Sequence, residues 1–98
     1  MSYTVLLTTS AVADITVAKE YYNSKNEGLG KKMANEIDIA LSKISDRPEV
    51  YSKRYRDIRM AKIAVFPYLI HYIIIEKERT IRVLRVFNTH QKKPLWGG

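Results

Sequence analysis

The densest apolar stretch of the chain lies late, in residues 66–90, FPYLIHYIIIEKERTIRVLRVFNTH. Tyr68–Ile75 and Thr80–Asn88 are rich in Ile, Val and Tyr, and the polar break Glu76-Lys77-Glu78-Arg79 between them predicts an antiparallel hairpin. Nearly every residue of both strands is apolar, so neither face is expected to be freely solvated. Earlier segments carry other periods. Tyr3–Thr8 reads as a first strand. Ala11, Ile15, Ala18 and Tyr22 then recur at helical spacing, with Ser10 as the expected N-cap and Asp14 in the first turn, where the helix dipole favours an anion. The polar run Asn23–Gly28 breaks that stripe. Met33, Ile37, Ala40, Leu41 and Ile44 form a second one, predicting a helix from about Leu29 to Ile44 that stops before Pro48. A third strand is expected over Arg54–Val65, and Phe66-Pro67 turns it into the hairpin. Residues 91–98 show no period.

The order β-α-α-β-β-β predicts one α+β domain over residues 1–98, an antiparallel sheet with an α-hairpin packed on one face. Register adds detail. A three-residue turn at Lys77–Arg79 sets His71 directly opposite Arg85, with Leu69, Ile73, Val83, Phe87 and Thr89 on their face. Ile70, Tyr72, Ile74, Leu84 and Val86 then lie under the helices. A two-residue turn instead pairs Arg85 with Ile70 and buries its charge, at several kcal/mol, so the first register is favoured.

Charge changes the picture, because it is uneven. The formal net charge is +7, yet residues 1–46 hold 5 Lys and Arg against 6 Asp and Glu, while residues 47–98 hold 12 against 4. A basic half of this kind points to a polyanion or an acidic partner. With no cysteine, two histidines and no carboxylate at ligand spacing near them, neither a metal site nor a disulfide framework is expected. Four glycines form no phosphate loop, so no cofactor is expected. The absence of cysteine and of a leader-like N-terminus fits a cytoplasmic protein, and no run is long enough to span a membrane.

What remains is a basic, aromatic-rich sheet with two imidazoles. Metal-independent RNA cleavage needs an acid, a base and cations around one phosphate. His71 and His90 are the candidates for proton transfer, and Arg59, Lys62 and Arg85 for the cations. Tyr72, Phe87 and Trp96 are candidate stacking platforms, and Lys92 and Lys93 extend the basic surface. Each has a plain structural alternative: a hydrogen-bonded core histidine, core aromatics, solvated arginines.

The helical hairpin ending in Asp46-Arg47-Pro48, then FPYLIHYIII and TIRVLRVFNTHQ, resembles the RelE/ParE superfamily, the toxins of type II toxin–antitoxin modules, often labelled plasmid stabilisation proteins. The resemblance implies a small sheet against an α-hairpin and a cognate antitoxin. RelE-like members cut mRNA in the ribosomal A site, whereas ParE-like members bind and poison DNA gyrase. Lys62 falls where RelE-like toxins keep a lysine. Leu69 stands where an arginine follows the strand tyrosine. Thr89 lies near the place of another arginine, with His90 as a possible substitute, and Trp96 near a C-terminal tyrosine. These departures put the chain nearer the ParE-like side. Three readings stand: a gyrase-binding toxin, a ribosome-dependent endoribonuclease, and an inactive relative. If the chain is a ribonuclease, His71, Arg85 and His90 are the catalytic candidates. If it is a binding module, Arg59, Lys62, Arg85, Lys92, Lys93 and Trp96 form the target surface.

Overall fold

The computed structural model describes residues 2–90, and in it the two apolar stripes become α1 (Thr9–Lys25) and α2 (Leu29–Asp46). α1 starts earlier than its stripe suggests. Thr8 is the N-cap, extended at φ −69° and ψ 163°, and its hydroxyl accepts the Ala11 N–H at 3.1 Å. Ser10 is therefore inside the helix, and Asp14 falls in the second turn rather than the first. α2 has no cap of its own side chains. Gly28 turns the chain into it at φ +85°, and Asn23 of α1 reaches across to accept the Gly30 N–H at 2.8 Å. A Cβ at Gly30 would lie 2.6 Å from the Lys19 carbonyl oxygen, so the helices approach here only because that residue is glycine. α2 stops before Pro48, which opens a 3₁₀ turn, Pro48–Val50.

The five strands are β1 (Thr4–Leu7), β2 (Lys53–Tyr55), β3 (Ile58–Lys62), β4 (Tyr68–Ile75) and β5 (Thr80–Asn88), in the order β1-β5-β4-β3-β2. The class is the expected one, an α+β domain with the α-hairpin on one face. Two details differ. The expected third strand is itself a hairpin, β2 and β3, turning at Arg56 and Asp57. The sheet is also mixed rather than antiparallel, because β1 pairs in parallel with β5 from Thr4 opposite Thr80 to Leu7 opposite Val83. α2 brings the chain back to the start of β1: the Tyr3 N–H donates to the Ser45 carbonyl, and the Ser45 hydroxyl donates to the Tyr3 carbonyl at 2.7 Å.

In the central hairpin both weighed registers occur, one on each side of a bulge. Leu69 faces Phe87, Ile70 faces Val86 and His71 faces Arg85, but Tyr72 then faces Val83. Leu84 is the extra residue. The slip carries Val83 onto the helix side, fully buried, and leaves Leu84 half-buried, the reverse of the uninterrupted register. Arg85 thereby stays off the core face while Ile81, Val83 and Val86 all remain on it. Under the helices these residues meet Ala61, Ile63, Ile70 and Tyr72 from the sheet, Ala11 and Ala18 from α1, and Met33, Ile37, Ala40 and Ile44 from α2. Tyr72, wholly buried, donates its hydroxyl to the Pro48 carbonyl at 2.6 Å and ties the 3₁₀ turn to the sheet. Burial pushes its pKa up to about 12, so it stays neutral.

Candidate functional site

The face of the sheet turned away from the helices is built from alternate residues of each strand. Across it run rows fixed by the strand pairing: Lys62, Leu69 and Phe87; then Met60, His71 and Arg85; then Ile73, Arg82 and Leu6. Of the strand cations, Lys62, Arg82 and Arg85 lie on this face while Arg59, with Lys53 paired to it, lies on the other, and the strands contain no carboxylate at all. A half-apolar surface edged by cations is the result.

One acid does approach, from α1. Asp14 takes Arg85 in a two-pronged ion pair, Nε to Oδ2 at 2.7 Å and Nη2 to Oδ1 at 2.9 Å. Its Oδ2 also accepts the Val86 N–H at 3.0 Å. The position explains the need. β1 ends opposite Val83, so the outer edge of β5 beyond that point has lost its ladder partner. The Thr8 hydroxyl donates to the Leu84 carbonyl at 2.9 Å and Asp14 receives Val86, so two side chains continue the bonding that β1 leaves off. The pair is largely enclosed, Arg85 at 30% and Asp14 at 16% side-chain exposure. Arg85 also lies over the Phe87 ring, 5.2 Å from its centroid.

His71 stands beside Arg85 as the pairing predicts, but it is only 2% exposed. Its ring is 5.9 Å from that of Phe87. Burial, with a smaller contribution from the Arg85 charge, lowers its pKa below the ordinary histidine value, against an opposing pull from Asp14. The imidazole is therefore neutral near pH 7 and covered.

The other predicted residues separate. Lys62 is exposed, one row from His71 on the same face. Arg59 is on the opposite face, level with Tyr72, and donates to the Tyr51 carbonyl at 2.6 Å. It braces the segment after the 3₁₀ turn and does not join Lys62. Strand alternation already required this, since positions 59 and 62 differ in parity. His90 is exposed in the turn after β5, where its N–H donates to the Asn88 side chain at 2.8 Å. Lys92, Lys93 and Trp96 lie outside the described residues. Sequence reasoning noted Arg82 as a charge in the apolar hairpin but gave it no place in the site, where it is an exposed cation on the open face, and it missed Asp14 as the partner of Arg85. Parity fixes Arg82 only once the bulge is known, and nothing local announces Asp14. Among the described residues no three His, Cys, Asp or Glu side chains converge as a metal site would require, and no helix is long and apolar enough to cross a membrane. The exposed part of this face thus offers cations and apolar side chains.

A family model for the ParE toxin of the type II toxin–antitoxin system parDE matches residues 5–93. The chain belongs to this family. It is the toxin component of a type II toxin–antitoxin system, of the ParE/RelE kind. Solved structures agree on the fold. A chain of the chromosomal ParDE system of P. aeruginosa superposes with a TM-score of 0.78 at 14% identity, covering 91% of this chain and 98% of that one. A chain of the intact E. coli RelBE complex gives 0.71 at 15% identity, covering 92% and 100%. A chain of the RelBE2 complex from Mycobacterium tuberculosis gives 0.63 at 24% identity, covering 90% and 99%. No curated protein matches the ParE-family chain at a significant level.

Proposed function

We propose that this ParE-family toxin stops growth by binding DNA gyrase, and that an acidic antitoxin neutralises it by covering the cationic face of the sheet. The family match over residues 5–93 supports the target class. The chemistry of the face supports binding over cleavage. Its one imidazole, His71, is buried and held neutral, and the resemblance to RelE-like toxins implies that Leu69 stands where they carry an arginine. Lys62, Arg82 and the apolar residues between them recognise a surface without transferring a proton. Binding of this kind spreads its energy, so single alanine replacements at Lys62 and Arg82 lower potency in graded steps of roughly 1 kcal/mol each. The antitoxin meets the same charges, and its affinity falls with salt at the charged rim while the apolar centre persists. His90, exposed beyond β5, is the residue that favours the alternative, ribosome-dependent mRNA cleavage.

The test uses the purified chain with DNA gyrase and supercoiled plasmid, beside expression in cells. The expected result is inhibited supercoiling and an induced DNA-damage response, with His90→Ala still toxic. Intact gyrase activity together with mRNA cut at codons, and loss of both cutting and toxicity in His90→Ala, would overturn the gyrase reading.

A further inference from the structure

The link between β3 and β4 holds a residue whose backbone the fold explains and whose side chain it does not. Ile63 and Phe66 are 1% and 4% exposed, both drawn into the core, with Phe66 edge-on to Tyr22 at 4.8 Å between ring centroids. The Ile63 N–H donates to the Tyr68 carbonyl at 3.1 Å, so Ala64, Val65, Phe66 and Pro67 reverse the chain. The Phe66 N–H closes onto the Ala64 carbonyl at 2.8 Å, and Val65 sits between them at φ +73°. This is a three-residue γ-turn in its strained, positive-φ form. A β-branched residue is among the least suited to that region, and glycine or asparagine would adopt it with less strain. Nor does the valine repay its strain by packing, since it is 67% exposed, the highest value for a large hydrophobic residue among the described residues. Strain kept at an exposed apolar side chain, where a simpler residue would serve the fold, is accounted for by a contact outside the chain.

The charges around the turn describe that contact. From Ile58 to Ile75, and again from Arg79 to His90, the chain contains no Asp or Glu. Lys62, exposed, stands just before the turn, and the end of β5 leading to His90 is bonded to it through the Thr89 N–H and the Pro67 carbonyl at 2.7 Å. A small apolar pocket with an acidic rim complements this arrangement.

We infer that Val65 is an anchor by which the toxin docks on its protein target, its side chain entering an apolar pocket rimmed by carboxylates. This rests on the gyrase reading above and names the part of the toxin that reaches the target. The experiment compares wild type with Val65→Gly and Val65→Thr in gyrase inhibition, antitoxin binding and thermal unfolding. Glycine removes the strain and the side chain together, whereas threonine keeps shape and strain and removes only apolar character. The expected result is inhibition weakened about tenfold by glycine and severalfold by threonine, the loss of burying one aliphatic side chain. The glycine variant should unfold at the same or a higher temperature. Wild-type potency in both variants would overturn the inference and leave the gyrase reading standing. A wild-type chain without effect on gyrase would overturn both. Full inhibition with loss of antitoxin binding would assign the turn to neutralisation and also overturn the inference.

Discussion

Asp14→Ala is the replacement whose outcome the structure specifies most closely. It removes three contacts at once: two charge-assisted bonds to Arg85 at 2.7 and 2.9 Å, and the acceptor for the Val86 N–H at 3.0 Å. A hydrogen bond to a charged group contributes about 1.5–3 kcal/mol, and stripping one partner from a fully buried ion pair costs about 3–5 kcal/mol. With the two side chains at 30% and 16% exposure, water recovers part of the loss, and about 2–3 kcal/mol is expected. For a domain of this size that is a drop in Tm of roughly 10–20 °C. Asp14→Asn keeps an acceptor for Val86 and should lose about half as much. The decisive assay is a double-mutant cycle with Arg85→Met, read by urea unfolding. A coupling energy of about 1.5 kcal/mol or more is expected, little changed by added salt. Coupling under about 0.5 kcal/mol would mean that Asp14 is only a helix residue and that β5 does not depend on it.

Acid should find His71. Its pKa in the folded chain is lowered, so the unfolded chain binds the proton more readily, and the stability from its neutral form is complete above about pH 6.5. That stability is lost as pH falls through the lowered folded value. Unfolding followed from pH 7.5 down to pH 5 should show the decline, and His71→Gln should flatten it; an equal slope in the variant refutes the assignment. Gly30→Ala should destabilise by about 1–3 kcal/mol despite the better helix propensity of alanine, because its Cβ would meet the Lys19 carbonyl at 2.6 Å and the Asn23 side chain at 2.8 Å. Thermal unfolding decides it, and an unchanged or raised Tm would show that the helices can part there without loss.

The amphipathic stripes were legible because each is local. Ala11, Ala18, Met33, Ile37, Ala40 and Ile44 are buried as their spacing requires. The hairpin and the pairing of His71 with Arg85 were legible for the same reason. What the sequence hid depends on contacts far apart in the chain. The bulge at Leu84 leaves no local mark, and it moved Val83 to the core and Leu84 out of it. The parallel pairing of β1 depends on where α2 returns the chain. Asp14 and Arg85 are 71 residues apart, and a carboxylate near a helix start already has a sufficient local explanation. Arg59 was a different kind of miss. Its charge suggested company with Lys62, while the two-residue period of the strand had already separated them.

The seating of the first strand against the last has a consequence in time. Thr8 bonds to Leu84 across 76 residues, and Asp14 meets Arg85 and Val86 at nearly the same separation. Synthesis at ~5–20 residues per second leaves β1 and the start of α1 for roughly 4–15 s without the strand they rest on. Helices α1 and α2 can form meanwhile, since their stripes face each other and their contacts are local. The cationic face cannot, because its rows run through β5. Until β5 has been made, the rows that cross the open face of the sheet have no residues to complete them.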